Sequence, residues 1–342
     1  MSLGGWGSRS IHSTRTDRMI EILSNGALNL IQDTGRPAHL IKGVCRSGAM
    51  DAPALALANM MIGNDAQAAG IEISIFPFRI RFDRDTLFAC TGVATRLALP
   101  QRSLPGWWAA EARSNDILTI AAPTHGARAY LALQGGLDVP LLLGSRATDL
   151  KSGFGGLEGR GLRKGDQLPL LPTSGPGKFK PIGIAPKSRV EFAGQLTSGT
   201  IAVRALPAAE YDEFTEQARH AFKNTEYRLT PDCNRQGYRL DGQLLETRRP
   251  LELLSHGVIP GTVQVPPSGQ PIVQMAEANT LGGYPKIATV IEADLWRLAQ
   301  IRPGQQIRFS LIDHEAAVAA QREQSDEINR IQHALDLMVG RL

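Results

Sequence analysis

The chain has 342 residues, 42% of them apolar and 20% charged, which is enough for two domains or one large one with a real core. Its 37 basic and 33 acidic residues leave a net charge of +4 without a basic block, so no nucleic-acid-binding stripe is implied, and no apolar run reaches the ~18 residues that span a bilayer. Cys45, Cys90 and Cys233 are far apart and odd in number, which excludes a CxxC metal site and a disulfide framework and fits a reducing, cytoplasmic setting.

Gly at 35 and Pro at 21 suit many short strands joined by tight turns. Residues 1–18 are polar and Gly/Ser-rich and read as a tag remnant or disordered lead, with the periodic part beginning near Met19. Asn25-Gly26 marks a turn ahead of LNLIQDTGRPAHL, where Asp33 and Arg36 either bind a polar ligand or satisfy the turn backbone and each other. Asp51 caps a helix running through ALALANMMIG and stopping at Gly63, and the same geometry leaves N–H groups at the helix start able to meet an anion. From Ile71 the pattern changes to short β-branched or alternating runs, IEISI, RIRF, LFACTG and TRLAL, then DILTI and ARAYLAL, the strands of an antiparallel unit over 19–172.

Those strands are interrupted by LLLGSRATDLKSGFGGLEGRGLRKGD, a glycine-rich lid or hinge carrying Arg146, Asp149, Lys151 and Arg160. Its spacing is neither GxGxxG nor a Walker A loop, because Glu158 stands where a glycine would be required. A Pro/Gly/Lys-rich linker over 172–187 leads to a second unit over 188–312, with a strand IAVRAL, a helix from about Ala208 to Phe222, and a turn-to-strand segment carrying Arg235, Tyr238 and Arg239.

The segment from Gly257 to Val290 mixes turns and β-branched residues most densely. Val263, Val265, Ile272 and Val273 predict short strands, and the intervening turns bring Gln264, Gln270, Thr280, Gly282, Gly283, Tyr284 and Lys286 toward one rim. A helix over EADLWRLAQ and a final strand follow. Residues 313–342 form a long helix whose Ile328, Ile331, Leu335 and Met338 make a narrow apolar stripe, suited equally to the body or to a partner helix. HExxH, GxSxG and SxxK are absent, as is a Met-Lys-Met biotin site, so the chemistry that remains is amide and Arg/Lys donation to an oxygen that becomes charged.

Six segments in order, QDTGR, SGAMD, GGLDVPLLLGSRATDLKSGFGGLEGR, NRQGYRL, GVIPGTVQVPPSGQPIV and GGYPKIATVI, resemble the allophanate hydrolase subunit 2 family, also called the biotin-dependent carboxyltransferase family. The resemblance covers about Ile20 to Phe309 and implies a mainly β fold with a few helices, built as two cyclophilin-like β-barrel-type units. It implies the role of the C component in an ATP-dependent 5-oxoprolinase-type complex, with A-type and B-type (subunit 1 type) partner proteins, an amide substrate and no metal. The alternatives are carboxyl transfer to urea or a related amide from biotin on a separate carrier, and a non-catalytic regulatory partner. On this reading Asp33, Arg36, Arg146, Arg235, Tyr238, Gln264, Gln270, Thr280, Tyr284 and the Gly282-Gly283 amides contact substrate. Lys286 faces the developing oxyanion, and Asp51 or Asp149 positions water. Gln236, Glu277 and Asn279 depart from the family pattern, where Met, Asp and Gln are usual.

Overall fold

A computed structural model describes residues 18–173 and 179–339; the lead over 1–17 and the middle of the Pro/Gly-rich linker lie outside the described residues. Strands dominate. The first unit is two six-stranded sheets. One is centred on Arg18–Ile22, Phe78–Phe82 and Ile117–Ile120, the other on Thr86–Thr91, Ala129–Leu133 and Gly70–Ile73.

The two sheets differ in how they are covered, and their sequences show it. Phe78–Phe82 alternates strictly, with Phe78, Ile80 and Phe82 buried between the sheets and Arg79 and Arg81 outside. Thr86–Thr91 is buried throughout because Phe88 and Cys90 enter the inter-sheet core while Leu87 and Ala89 face the other way. On that second face lies α1 (Ala52–Met61), whose Ala58 and Met61 pack on small residues, Ala89, Ala109 and Ala132, that let the helix approach the sheet. Asp51 is the helix cap, accepting from Ala54 N at 3.1 Å.

The second unit is a closed barrel of seven strands. Thr200–Pro207 pairs in parallel with Gln306–Leu311 and antiparallel with Lys286–Val290, and Thr262–Gln264, Ile272–Gln274, Gly237–Asp241 and Glu226–Cys233 complete the circuit. Its core holds Phe222 stacked on Phe309 with ring centroids 4.6 Å apart.

Three helices differ from the sequence expectation. Ahead of the strand IAVRAL stands α2 (Lys187–Ser198), which the linker reading did not anticipate; only Phe192 of it is buried, so its apolar signal is weak. The helix expected over 208–222 instead starts at Glu216 as α3 (Glu216–Asn224), because the Thr215 side chain caps it by accepting from Ala218 N at 3.1 Å, and Tyr211–Glu213 forms a separate 3-10 turn. The helix over EADLWRLAQ shortens to α4 (Leu295–Ala299) behind a 3-10 turn.

The tail forms α5 (His314–Val339), and it docks on the body: Leu335 is 3% exposed among Ala58, Met61 and Leu87, with Ile331 packed beside it. Met338, at the end of the predicted stripe, is exposed. No helix among the described residues is long and apolar enough to cross a membrane.

Candidate functional site

The two units meet through polar groups buried against each other. The SGAMD segment crosses between them: Ser47 N donates to Ala276 O at 2.9 Å, and Met50 inserts into the apolar core of the barrel unit. Asp51 receives the guanidinium of Arg189 on both oxygens, at 2.7 and 2.8 Å, and the Gln300 amide at 2.9 Å. Beside it, Glu72 accepts from Arg235 Nη1 at 2.5 Å, from Tyr130 Oη at 2.9 Å and from Met50 N at 2.8 Å. Arg235 in turn donates Nε to Glu277 at 2.6 Å and Nη2 to the Gly48 carbonyl at 2.6 Å. A buried ion pair survives desolvation only when its remaining donors and acceptors are also satisfied, and this cluster meets that condition.

A cleft of about 260 Å³ opens on the edge of the cluster, lined by Arg128, Lys151, Cys233, Arg235, Gln236 and Glu277 among others. A second hollow of about 190 Å³ shares Asn234 and Gln236 with it and continues along the barrel past Arg239, Gln264, Gln274, Asn279 and Tyr284. The Lys151 ammonium meets the Asn279 side-chain oxygen, so the Gly-rich loop and the turn before Gly282 touch at the boundary of the two hollows. Gln274 Nε2 donates to Gln264 Oε1 at 2.9 Å, which leaves Gln264 Nε2 buried with no hydrogen-bond partner. An amide donor without a partner costs free energy until a carbonyl oxygen or water meets it.

Several residues singled out from the sequence have structural tasks. Asp33 organises the base of the Gly-rich loop, accepting from Gly35 N at 2.7 Å, Ser145 Oγ at 2.7 Å and Arg146 N at 2.6 Å, while Arg146 Nε donates to Val139 O. Arg36 lies 2% exposed beneath that loop, its guanidinium 4.7 Å from the Phe154 ring centroid and Nη2 donating to Ala147 O. Asp149 accepts from Ser152 N at 2.9 Å and from Cys45 Sγ at 3.0 Å; burial, followed by that bond to the carboxylate, pushes the Cys45 thiol up to about 11. Gln270 exchanges two bonds with the Gly242 backbone at 3.0 Å, and Tyr238 is buried with its hydroxyl accepting from Arg128 at 2.9 Å.

Thr280 O accepts from Val258 N, and Gly282 pairs with His256 in a short two-stranded ladder. Lys286 begins the strand Lys286–Val290 and is 6% exposed. Its ammonium meets His256 Nε2, whose ring is oriented by Nδ1 on Leu254 O at 2.9 Å, and burial lowers the lysine below its ordinary value. Asp51 and Asp149 therefore lie away from both hollows with their oxygens engaged, whereas Arg235 lines the cleft and Gln264 and Tyr284 line the second hollow. Of the three positions that depart from the family pattern, Gln236 lines both, Glu277 the cleft and Asn279 the second hollow.

Sequence reasoning did not single out Glu72 or Arg128. A signal for the first existed: Glu72 is a carboxylate inside the apolar run IEISI, on a strand buried at every position, and a buried carboxylate requires a partner. Arg128 had no comparable signal, because its partners Tyr238 and Ala299 lie more than a hundred residues away.

Two sheets and a closed barrel are joined by a buried ion cluster with a polar cleft between them, and the chain belongs to the family described as carboxyltransferase domain, subdomain A and B, whose model matches residues 42–311. It is 43% identical over 308 residues to the C subunit of 5-oxoprolinase from Escherichia coli, covering 90% of this chain and 95% of that protein. It is 38% identical over 319 residues to the C subunit of 5-oxoprolinase from Haemophilus influenzae, covering 93% and 99%. The crystal structure of the K. lactis urea amidolyase superposes with a TM-score of 0.83 at 29% identity, over 93% of this chain and 20% of that much longer one.

Proposed function

We propose that this chain is the C component of an ATP-dependent 5-oxoprolinase-type complex, which opens the lactam of 5-oxoproline to glutamate with A-type and B-type partner proteins. The observation that carries the reading is the full-length similarity to two proteins named as the C subunit of 5-oxoprolinase, at 43% and 38% identity over 95% and 99% of their lengths. The cleft between the units is the substrate site on this reading. With the hollow that adjoins it, the cleft offers a small cyclic amide what such a ligand needs: the buried, unpartnered Gln264 amide of the hollow for a carbonyl oxygen, the Asn234 and Gln236 amides for orientation, and cationic groups at the cleft end. Lys286 and the Gly282-Gly283 turn stand behind Gln264; a Cβ at Gly282 would come within 2.5 Å of its Nε2. Their role is to hold that amide in place.

ATP belongs to the complex, and no residue of this chain is assigned to it. The hydrolase activity and a cytoplasmic location are part of the same proposal. Carboxyl transfer to urea or a related amide is the second reading, favoured by the family description and by 30% identity to the Saccharomyces cerevisiae urea amidolyase, of which this chain matches 18%. There the Gln264 amide would face the ureido oxygen of biotin held on a separate carrier, which supplies the carboxyl group.

The test is to purify the chain with its A-type and B-type partners and to measure glutamate formed from 5-oxoproline and ATP. Release that depends on all three components is the expected result. An assembled, ATP-hydrolysing complex that releases none would refute the reading, and carboxylation of urea in the presence of a biotin carrier would establish the second.

A further inference from the structure

Among the residues lining the cleft, one guanidinium carries a buried donor with no hydrogen-bond partner. Arg128 precedes the strand Ala129–Leu133, and both of its hydrogen bonds leave from Nη1, to Tyr238 Oη at 2.9 Å and to the Ala299 carbonyl. Its Nε is buried and has no hydrogen-bond partner. Glu72 Oε1 lies 3.7 Å from it, beyond hydrogen-bonding distance, and that oxygen already accepts from Arg235 at 2.5 Å. The unused side of the guanidinium is thus the one bearing Nε, and an Nε-bearing edge is a two-pronged donor that matches the two oxygens of a carboxylate.

The surroundings select the sign of the ligand. Arg128, Arg235 and Lys151 all line the cleft, against the carboxylates of Glu277, which lines it, and Glu72 behind it, so one positive charge is left over. Both carboxylates are held by Arg235, whereas Lys151 reaches only the neutral Asn279 side chain. Lys151 sits on the Gly-rich loop and Arg128 just ahead of the strand Ala129–Leu133, so the two cations approach from different elements. The carbonyl oxygen of a neutral amide can accept from only one prong of the Arg128 edge and leaves the excess charge in place; a carboxylate spans both prongs and neutralises it.

We propose that Arg128, with Lys151, forms an anion subsite that takes the carboxylate of the small amide substrate; the proposal rests on the reading of this cleft as the substrate site. The remaining cleft residues would then meet the ring of the substrate rather than its charged group.

Titrating the full-length chain with 5-oxoproline, with 2-pyrrolidinone, which is the same lactam without the carboxylate, and with inorganic phosphate tests the proposal. Wild type is expected to bind 5-oxoproline about ten-fold or more tightly than 2-pyrrolidinone, and Arg128→Gln to lose that ten-fold preference while 2-pyrrolidinone binding stays unchanged. Because Arg128 also bonds Tyr238, Lys151→Ala provides an independent variant at an accessible position and should weaken 5-oxoproline binding selectively. Equal affinity of wild type for the two lactams overturns the subsite, as does wild-type preference in a folded Arg128→Gln or in Lys151→Ala. Phosphate binding as tight as 5-oxoproline overturns the carboxylate class. Glutamate release by the assembled complex is read separately: release with unaltered binding in both variants rejects the subsite alone, and selective binding without release rejects the 5-oxoprolinase reading alone.

Discussion

Lys286 illustrates how a residue chosen for chemistry is read differently once its neighbours are known. It is buried beside His256 and Glu210, with burial as the first cause of its lowered value. Burial favours the neutral amine, so between that lowered value and the ordinary 10.5 the folded chain binds fewer protons than the unfolded one, and stability rises with pH across this window. Urea midpoints measured from neutral pH to pH ~10 should therefore climb through this contribution, and Lys286→Met should remove it, giving a flatter profile. An identical slope in the variant would show that the lysine remains hydrated. Cys45, by contrast, is held up near 11 and remains a protonated donor to Asp149 at neutral pH.

At the scale of elements, the Gly-rich loop and the terminal helix had the most open readings. The loop lacks the spacing of a dinucleotide fingerprint or a Walker A loop, and glycines in it serve its own path. Gly159 has φ +66°, and a Cβ there would lie 2.1 Å from the Gly153 carbonyl carbon, so the chain crosses itself where no other residue fits. Asp33 and Arg36 hold its underside. The terminal helix α5 packs Ile331 and Leu335 beside Ala58 and Met61 of α1, and this sets an expectation for its two faces. Leu335→Ala should lower unfolding stability by about 3 kcal/mol, whereas Leu337→Ala, on a side chain 59% exposed, should change it by less than ~0.5 kcal/mol, as read by denaturant melts. Equal effects would indicate that α5 is not docked in solution. Ile331 and Leu335 are consequently poor probes of partner binding, since changing them disturbs the body of the protein first.

At the scale of the molecule, the joint between the sheets and the barrel is ionic and buried, and Arg235 is its centre. Arg235→Met leaves Glu277 without its cation and Glu72 with only Arg128 at 3.7 Å, and unfolding stability should fall by about 3–5 kcal/mol in urea titrations. Adding Glu72→Gln and Glu277→Gln should recover part of the loss, because the cost lies in the uncompensated charges. A single Arg235→Met of wild-type stability would mean that the two carboxylates find water. The cleft opens directly on this joint, so the same arginine that could be read as a substrate ligand instead positions Glu277 and, through Glu72, the neighbourhood of Arg128.

Much of the architecture was legible from local chemistry. Alternation in RIRF, the Asp51 cap and the turn before Gly269 are short-range signals that tertiary packing kept, whereas Leu281–Gly282 pairs as a short strand where a turn was expected and Met338 leaves the expected stripe of α5 for solvent. The helix at 216 was displaced from its expected start because the Thr215 cap outweighed the apolar spacing upstream. Six ordered segments were also sufficient to indicate the family, and five of them meet around the cleft, the adjoining hollow or their supporting cluster: SGAMD, the Gly-rich loop, NRQGYRL, the strands around Gln264 and, through Tyr284, GGYPKIATVI.

By itself, then, the sequence determined a mainly β chain, most of its strands and helices, and the segments that would converge, because hydrophobic period, capping and turn chemistry act over a few residues. Only the tertiary structure decided which polar side chains are free. Asp51, Asp149 and Arg235 looked available as residue types, and their distant partners consume them; Arg128 and Gln264 carry donors with no partner, and nothing within their own stretch of chain announces it. Whether a buried polar group is satisfied depends on residues that the fold alone brings within 3 Å.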